Sequence, residues 1–371
     1  MKILVTGGAG FIGSYIVDKL IDKGYDVRIL DNLNEQVHPD GKLPDYLNKK
    51  AEFIKGDVTN KKDLAKALDG VDAIFHEAAS VGVGQSMYEI ENYTKNNSLG
   101  TAALLDMIVN KFKNKIKKIL VAASMSSYGE GLYKCSKCGV VQPKLRPVSQ
   151  MEKHDWEPKC PKCGKELWAI PTSEDAKQNC NSVYAINKMD QEQLVLVTCG
   201  AYDIPAVALR YFNVYGPRQS LSNPYTGVAA IFMSRIKNGN RPVVYEDGLQ
   251  TRDLISVHDV ADANVMAFEN ENANGQVFNV GTENPLPIKS IAENIAKMCD
   301  ADIEPQINEE FRKGDVRHCY ADISKIKKAI AFKPKVGFED GMKELIEWSK
   351  TAESEDKFEK ANKELKSKGL T

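Results

Sequence analysis

The sequence predicts an α/β fold built on a doubly wound parallel sheet, with a smaller C-terminal lobe. The first observation is a short apolar run, Lys2–Thr6, followed by closely spaced glycines and an amphipathic helix to about Lys23. The second is a further apolar run, Asp26–Leu30, which ends at Asp31 and completes a strand–helix–strand unit. The third is the continued alternation of strand-like and helix-like segments to Ala123, which is typical of parallel sheets.

Composition and charge exclude several classes of protein. The chain has 371 residues, of which 42% are hydrophobic and 27% charged, so a large core and about two domains are expected. The formal net charge of −1 gives no overall field that would attract nucleic acid or anionic membrane. No apolar run approaches the about 18 residues of a membrane span, and the N-terminus lacks the pattern of a signal peptide. We therefore expect a cytoplasmic protein without a disulfide framework.

The glycine-rich turn predicts a dinucleotide site in a Rossmann fold. Gly7 permits the tight turn, Gly10 lets backbone amides approach a pyrophosphate, and Gly13 lets the helix pack closely on the strand. The N-terminus of that helix then faces the phosphates. Asp31 ends the next strand, where its carboxylate can accept a hydrogen bond from a ribose 2′-hydroxyl but would repel a 2′-phosphate. The pattern therefore favours NAD over NADP.

Three residues further along predict the catalytic set. Ser124 ends a strand, and Tyr184 and Lys188 stand one turn apart on a helix that begins near Ser182. An unperturbed tyrosine, with a pKa near about 10, is a poor base at neutral pH. A lysine ammonium beside it, together with the nicotinamide cation, favours the phenolate and lowers that pKa. Such a tyrosine can take the proton of a sugar hydroxyl that Ser124 holds.

With these motifs in place, the chain resembles the extended short-chain dehydrogenase/reductases, in the nucleotide-sugar epimerase/dehydratase family. Further motifs carry the resemblance from Gly7 to about Trp348: the segments 209–218, 247–253 and 314–318 are similar to family segments that contact the sugar nucleotide. The resemblance implies that Asn213 contacts the diphosphate, that Arg252 and Arg317 bind phosphate, and that Asn97 supports the active site.

The combined predictions give two sets of binding residues. The residues expected to contact NAD are Gly7, Gly10, Phe11, Ile12, Gly13, Asp31, Asn32, Asp57, Val58, Ala78, Ala79, Asn97, Tyr184, Lys188 and Tyr211. The residues expected to contact the substrate, a nucleotide-diphosphate sugar, are Gly84, Gln85, Ser86, Ser126, Asn213, Tyr225, Thr226, Arg252 and Arg317.

The residues after Ser124 indicate the reaction. Related 4,6-dehydratases carry an acidic pair there and related decarboxylases a glutamate, whereas this chain has Met125, Ser126 and Ser127. The resemblance therefore implies an NAD-dependent 4-epimerase, which oxidises the C4 carbon and reduces it on the opposite face. Three alternatives remain open. They are epimerisation of a UDP-sugar, net oxidoreductase or dehydratase chemistry, and a non-catalytic NAD-sensing scaffold with a partner-binding ribbon.

Four cysteines predict a structural zinc ribbon. The stretch of chain between Ser124 and Tyr184 is far longer than the family needs, and the excess contains two well-separated CxxC pairs. This spacing fits a tetrahedral site that four thiolates close, so the metal would stabilise a small insertion and not catalyse. The predicted ligands are Cys135, Cys138, Cys160 and Cys163. A ribbon at this position resembles a bacterial and archaeal subgroup that includes dTDP-L-rhamnose 4-epimerase, which implies dTDP-L-rhamnose as substrate and dTDP-6-deoxy-L-talose as product.

These predictions divide the chain into five segments. Residues 1–130 form the first part of the NAD-binding domain, 131–169 the zinc ribbon, 170–222 the catalytic helix and following strand, and 223–350 most of the substrate lobe. Residues 351–371, with ten charged residues, are expected to form a solvated helix or to be disordered, without a catalytic role. The resemblance implies a homodimer, through the helices at 94–112 and 182–202. Nucleic acid is not expected as a partner.

Overall fold

The computed structural model describes residues 1–371, and a seven-stranded parallel sheet forms its centre. The whole chain contains sixteen strands, seven of which belong to this sheet. They are β1 (Lys2–Thr6), β2 (Asp26–Asp31), β3 (Glu52–Lys55), β4 (Ala73–His76), β5 (Lys118–Ser124), β6 (Leu132–Cys135), β7 (Gly139–Val141), β8 (Trp168–Ile170), β9 (Ala206–Tyr211), β10 (Asn213–Tyr215), β11 (Val243–Val244), β12 (Thr251–Ser256), β13 (Gln276–Val280), β14 (Pro285–Pro287), β15 (Gln306–Ile307) and β16 (His318–Cys319).

The helices alternate with these strands, as the sequence predicts. They are α1 (Phe11–Asp22), α2 (Lys61–Leu68), α3 (Ile90–Thr94), α4 (Gly100–Met107), α5 (Val148–Met151), α6 (Val183–Ala201), α7 (Val228–Lys237), α8 (Val257–Glu269), α9 (Ile288–Met298), α10 (Ser324–Ile330), α11 (Phe338–Ser349) and α12 (Phe358–Ser367). Two π-helical turns, Lys95–Leu99 and Ile108–Phe112, flank α4, so the long helix predicted at 94–112 has irregular ends.

The central sheet has the strand order β13-β9-β5-β4-β1-β2-β3, which confirms the doubly wound fold. The chain moves outward from β1 through β2 and β3, then returns to the other side of β1 with β4. The carboxyl ends of β1 and β4 therefore border the crevice where the direction of winding reverses, which is where ligands bind in such sheets. Helices α1 and α8 cover one face, and α2, α4 and α6 cover the other.

The smaller lobe has its own core, formed mainly by α7, α9 and α11. Its apolar side chains meet beneath a mixed sheet of β10, β12, β14 and β16. Asp253 of β12 ties this lobe to the main sheet, because its carboxylate accepts hydrogen bonds from the backbone of Thr282, Glu283 and Ala321. The predicted substrate lobe is thus joined to the nucleotide-binding part by a buried, fully bonded carboxylate.

The insertion after Ser124 forms a separate three-stranded antiparallel sheet, ordered β7-β6-β8. The core beside this sheet is small: it consists of Tyr133, Val141, Leu167 and the cysteines, while Met151 and Trp156 of the insertion are buried apart from it. So few apolar contacts cannot offset the conformational entropy of an isolated module of this size. Additional interactions must therefore hold the insertion in place.

The C-terminal segment forms a helix, which is one of the two predicted states, but the helix is docked on the protein instead of solvated. Residues 351–371 include α12, which docks on the smaller lobe and buries Ala361 and Leu365. The sequence shows no broad apolar face in this helix, because Ala361 and Leu365 are its only buried apolar residues and several of its other contacts are polar. No helix of the structure combines the length and the apolar character that crossing a membrane requires.

A buried ion pair should be a main determinant of stability. Glu192 of α6 accepts bidentate hydrogen bonds from Arg210 of β9, at 2.8 Å and 2.6 Å, and both side chains are buried. The replacement Glu192→Gln leaves an uncompensated buried guanidinium, so we expect a loss of about 3–5 kcal/mol in the free energy of unfolding, measured with urea. The exposed pair of Glu347 and Lys350 provides the control, and Glu347→Gln should leave stability nearly unchanged. Equal effects of the two variants would contradict this assignment.

Candidate active site

The glycine-rich turn between β1 and α1 forms one end of a large cavity. Gly7 has a φ of +69°, in the left-handed region that favours glycine. A Cβ on Gly13 would lie 2.2 Å from the carbonyl oxygen of Gly7, so only glycine permits this contact between helix and turn. Helix α1 follows Gly10 without a side-chain cap, which leaves its first N–H groups available to an anion.

Asp31 closes the same end of the cavity from the carboxyl end of β2. Its carboxylate accepts hydrogen bonds from the backbone N–H groups of Ala9, at 3.0 Å, and Leu33, at 2.9 Å. These contacts fix the carboxylate beside the glycine turn. It lines the cavity, and its oxygens retain lone pairs that can accept further hydrogen bonds from a ligand. The position is the one that the sequence predicts for a group that holds a ribose.

The predicted catalytic residues meet at the middle of the cavity. Helix α6 packs along β5, which brings Tyr184 and Lys188 to the strand end at Ser124. The Lys188 ammonium donates to the carbonyl oxygen of Ala122 at 2.8 Å. The Oγ of Ser126 donates to the Oγ of Ser124 at 2.9 Å, so two hydroxyls stand together at the substrate side.

The electrostatics of this set differ from the prediction. Burial raises the pKa of Tyr184 to about 12, and a hydrogen bond with Ser124 lowers it only in part. Burial also lowers the pKa of Lys188 to about 8, against the effect of the nearby Glu77 carboxylate. Desolvation therefore dominates the pKa of Tyr184, and the lowering predicted from Lys188 is absent. Sequence spacing reveals which groups meet, but it does not reveal how deeply they are buried.

Glu77 is an unpredicted acidic residue in the cavity wall. It follows β4, and its carboxylate accepts a hydrogen bond from the Tyr211 hydroxyl at 3.0 Å. Burial raises its pKa to about 7, while the Lys188 charge and the Tyr211 hydrogen bond lower it in part. Its position directly after a strand of the predicted parallel sheet could have identified it as a residue of the site. The neighbouring His76 is a core residue instead, because both ring nitrogens bond to threonine hydroxyls at 2.8 Å.

The cavity has a volume of about 440 Å³, within the usual range for small-molecule sites. Most of the predicted residues line it. They are Gly7, Gly10, Phe11, Ile12, Gly13, Asp31, Asn32, Asp57, Val58, Ala78, Ala79, Gln85, Ser124, Ser126, Tyr184, Lys188, Tyr211, Asn213, Tyr225 and Thr226. Gln36, His38 and Tyr93 also line it and were not predicted, because they lie on loops and helix faces without a recognisable motif.

Three predicted residues support the wall from behind. Asn97 holds the turn after β4, because its side chain bonds to both the N–H and the carbonyl oxygen of Ser80. The Ser86 hydroxyl accepts a hydrogen bond from the N–H of Tyr184 at 3.0 Å, which fixes the start of the catalytic helix. Gly84 lies outside the lining residues and packs towards Leu365 of α12.

The two predicted phosphate-binding arginines lie elsewhere, which corrects that prediction. Arg317 is fully buried and forms ion pairs with Glu157 at 2.7 Å, Glu246 at 2.8 Å and Asp247 at 2.6 Å. Arg252 donates to backbone carbonyl oxygens, including that of Arg317. Neither side chain lines the cavity. The acidic residues around Arg317 supply the negative charge that a phosphate would otherwise provide to it.

The four predicted metal ligands come together in the insertion. The sulfur atoms of Cys135, Cys138, Cys160 and Cys163 all lie within 4.8 Å of one another, and no disulfide joins them. Backbone N–H groups of Lys137 and Cys138 lower the pKa of the Cys135 thiol, which favours the thiolate that a metal binds. Four thiolates in this arrangement suit a closed tetrahedral zinc site.

One end of the cavity is therefore shaped for a dinucleotide, and its middle presents a buried tyrosine, a buried lysine and a partly buried serine. This combination defines an enzyme of the short-chain dehydrogenase/reductase class. The chain belongs to the NAD dependent epimerase/dehydratase family, whose model matches residues 3–150 and 161–281. The break in the match falls within the insertion.

Individual relatives cover nearly the whole chain. It is 37% identical over 351 residues to the dTDP-L-rhamnose 4-epimerase of Burkholderia thailandensis, covering 94% of each chain. It is 33% identical to a putative UDP-glucose 4-epimerase of Methanocaldococcus jannaschii, covering 94% of this chain and 98% of that protein.

Solved structures agree with the fold. A UDP-glucose 4-epimerase of Thermotoga maritima, solved with UDP-glucose, is similar with a TM-score of 0.78 and 31% identity, covering 94% of this chain and 99% of the other. The UDP-glucuronic acid 4-epimerase of Bacillus cereus, solved with UDP-glucuronic acid and NAD, has a TM-score of 0.76 and 27% identity, with coverage of 94% and 99%. The predicted family and fold are confirmed.

The raised pKa of Glu77 leads to a pH-dependent stability. An unfolded glutamate has a pKa of about 4.3, so the folded protein holds a proton that the unfolded chain releases. The contribution of protonated Glu77 to the free energy of unfolding is complete below about pH 4.3 and is lost as the pH rises through about 7. For protein without bound ligand, Glu77→Gln should therefore gain stability relative to wild type between about pH 5 and pH 8, in thermal melts across that range. The exposed Glu91→Gln is the control, and parallel curves for all three proteins would contradict the assignment.

Proposed function

We propose that this chain is a nucleotide-sugar 4-epimerase that works with tightly bound NAD. The observation that carries the proposal is the meeting of Ser124, Tyr184 and Lys188 in the cavity that the glycine turn borders. The residues that follow Ser124 are Met125, Ser126 and Ser127, so this position carries hydroxyls and no carboxylate. This set can remove and return a proton at one hydroxyl, and it offers no acid there to expel water.

The cofactor proposal rests on the shape and polarity of the cavity. The glycine cradle leaves no room for a Cβ at Gly13, and the uncapped first turn of α1 suits a pyrophosphate. Asp31 would hold the adenine ribose, while Tyr211 and Lys188 line the part of the cavity where the catalytic residues meet. Bound NAD would supply a reversible hydride acceptor for the sugar carbon.

The residues of the chain would manage the proton and the geometry. Tyr184 would take the C4 hydroxyl proton at its phenolic oxygen and return it when the carbon is reduced. Ser124 would hold that oxygen by a hydrogen bond, and the Lys188 charge would stabilise the phenolate. The raised pKa of Tyr184 makes the nearby positive charges necessary, since burial alone disfavours the ionised form.

The substrate end of the cavity would accept the sugar and its diphosphate. The buried amide oxygen of Asn213 has no hydrogen-bond partner within the protein, although it borders the cavity, so a ligand donor would satisfy it. Gln85, Tyr225 and Thr226 present further polar groups. The similarity to a dTDP-L-rhamnose 4-epimerase supports dTDP-L-rhamnose as the substrate, with dTDP-6-deoxy-L-talose as the product. The similarity to UDP-sugar 4-epimerases supports the alternative of a UDP-sugar.

A substrate panel tests this function. Purified protein is incubated with dTDP-, UDP- and GDP-sugars without added cofactor, while proton NMR follows the sugar and near-ultraviolet absorbance follows NADH. A C4 epimer without lasting NADH supports the proposal and identifies the substrate. Lasting NADH, or loss of water or carbon dioxide, would contradict it and indicate a dehydrogenase, dehydratase or decarboxylase.

Two further features complete the proposal. The four-cysteine cluster would hold a structural zinc ion, which would supply the folding energy that the small insertion lacks. A homodimer would form through the outer faces of α4 and α6 and the π-helical turn before α4, where Leu99, Ile186 and Val197 are 54%, 44% and 67% exposed. Cytoplasmic location stays a prediction.

Removing the phenolic hydroxyl should separate chemistry from binding. We expect Tyr184→Phe to lower kcat by about 10²- to 10⁴-fold, because the variant lacks the phenolic oxygen that is proposed to carry the proton. The NAD content of the purified variant should match wild type, since the glycine turn is intact. Steady-state kinetics and released-cofactor assays measure both, and unchanged turnover would exclude Tyr184 as the base.

Loss of one thiolate should release the metal. Cys160→Ser is expected to lower the zinc content, measured by elemental analysis, and to increase proteolysis within residues 131–169. NAD content should remain near the wild-type value, because the insertion lies outside the central sheet. Replacing Cys199, a buried thiol remote in sequence from the cluster, by Ala is the control for zinc content. Zinc retained in Cys160→Ser would contradict the four-cysteine site.

A further inference from the structure

The C-terminal helix α12 contacts the wall of the cavity. The Glu364 carboxylate accepts hydrogen bonds from the hydroxyls of Tyr88, at 3.1 Å, and Tyr225, at 2.9 Å. The two hydroxyl oxygens also lie within hydrogen-bond distance of each other, but each hydroxyl has a single hydrogen, so this contact is an alternative to donation to Glu364. Tyr225 lines the cavity, so a single hydrogen bond connects the last helix to a residue of the substrate end.

The next residue of the same helix supports the opposite side of this wall. Leu365 is buried, and a Cβ on Gly84 would lie 3.2 Å from one of its methyl groups. Gly84 precedes Gln85, which lines the cavity and accepts a hydrogen bond from Tyr93 at 2.9 Å. Tyr225 also packs against Gly82 of the same turn. Helix α12 therefore borders both segments that form this part of the wall.

Other contacts hold α12 in place independently of Glu364. Lys366 pairs with Glu310 at 2.8 Å, and Tyr245 donates to the side chain of Asn362 at 3.1 Å. The backbone N–H of Lys313 donates to the carbonyl oxygen of Leu370 at 2.9 Å. A change at Glu364 can therefore alter the tyrosines without undocking the helix.

We propose that Glu364 is a positioning residue of the sugar-nucleotide site, which fixes Tyr225 and Tyr88 so that the wall is preformed for substrate. This inference rests on the proposed function. A carboxylate is the suitable acceptor, because one of its oxygens has lone pairs for two hydroxyls, and Oε2 accepts from both here. Burial raises the pKa of Tyr88 to about 12 and raises that of Tyr225 further, so both phenols remain protonated donors at neutral pH.

The test compares two glutamates of α12. Glu364→Ala removes the acceptor of the two tyrosine hydroxyls. Glu359→Ala changes another glutamate of α12, an exposed one that pairs with Arg235 of α7. We expect Glu364→Ala to raise KM for the sugar nucleotide about tenfold, with kcat within about threefold of wild type, since the site must order Tyr225 when substrate binds. Glu359→Ala should leave both constants unchanged.

Two further variants separate positioning from packing. Glu364→Gln retains an oxygen that accepts a hydroxyl hydrogen, so its KM should return most of the way to wild type. Tyr88→Phe keeps the ring and loses one hydroxyl, so it should raise KM by a smaller factor. NAD content and Tm are measured for every variant, and Tyr88→Phe replaces Glu364→Ala in the test if the latter does not fold.

The outcomes distinguish this inference from the proposed function. Wild-type protein that epimerises no sugar of the panel overturns both. Active wild-type protein together with an unchanged KM in Glu364→Ala and Tyr88→Phe overturns the positioning role alone. An equal rise in KM for Glu364→Ala and Glu359→Ala also overturns it, because the effect would then come from docking of the helix.

Discussion

The parallel direction of all seven central strands is the constraint on which the site depends. It brings the carboxyl ends of β1, β2, β4 and β5 to one edge, so that groups far apart in the chain face one cavity. Helix α6 then packs on β5, and the bond from Lys188 to the carbonyl oxygen of Ala122 fixes its depth. The long stretch of chain between Ser124 and Tyr184 leaves this geometry intact, because the insertion leaves and returns outside the sheet.

The insertion is tied to the smaller lobe by charge. Arg146 and Glu157 come from the inserted segment, and both join the buried cluster around Arg317 and Glu246. Buried charges of this kind are stable only when each has partners, so removing one member exposes the rest to a desolvation penalty. The cluster therefore fixes the orientation of the cysteine module relative to the lobe, which its small apolar core could not do alone.

Local motifs predicted the fold and the centre of the site because they report backbone requirements. Gly13 must lack a Cβ, and Tyr184 and Lys188 must share a helix face. Both requirements appear in the sequence as residues of a fixed type at a fixed spacing. The partners of Arg317 are not visible in this way, since Glu157 and Asp247 approach from distant parts of the chain. The pKa of Tyr184 and the docking of α12 also escaped prediction, because burial and long-range polar contacts have no local pattern.

The two additions to the central fold both border the lobe that holds the substrate end of the cavity. The insertion pairs with Glu246 and Arg317, while α12 contacts Tyr225 and Tyr88. The glycine turn and Asp31, at the other end, contact neither addition. A site that keeps its cofactor end constant and adds structure at its substrate end can change which sugar it accepts without changing the chemistry at Tyr184. Helix α12 meets this description through Tyr225, which lines the cavity, whereas the insertion contacts the lobe at a charge cluster outside the cavity.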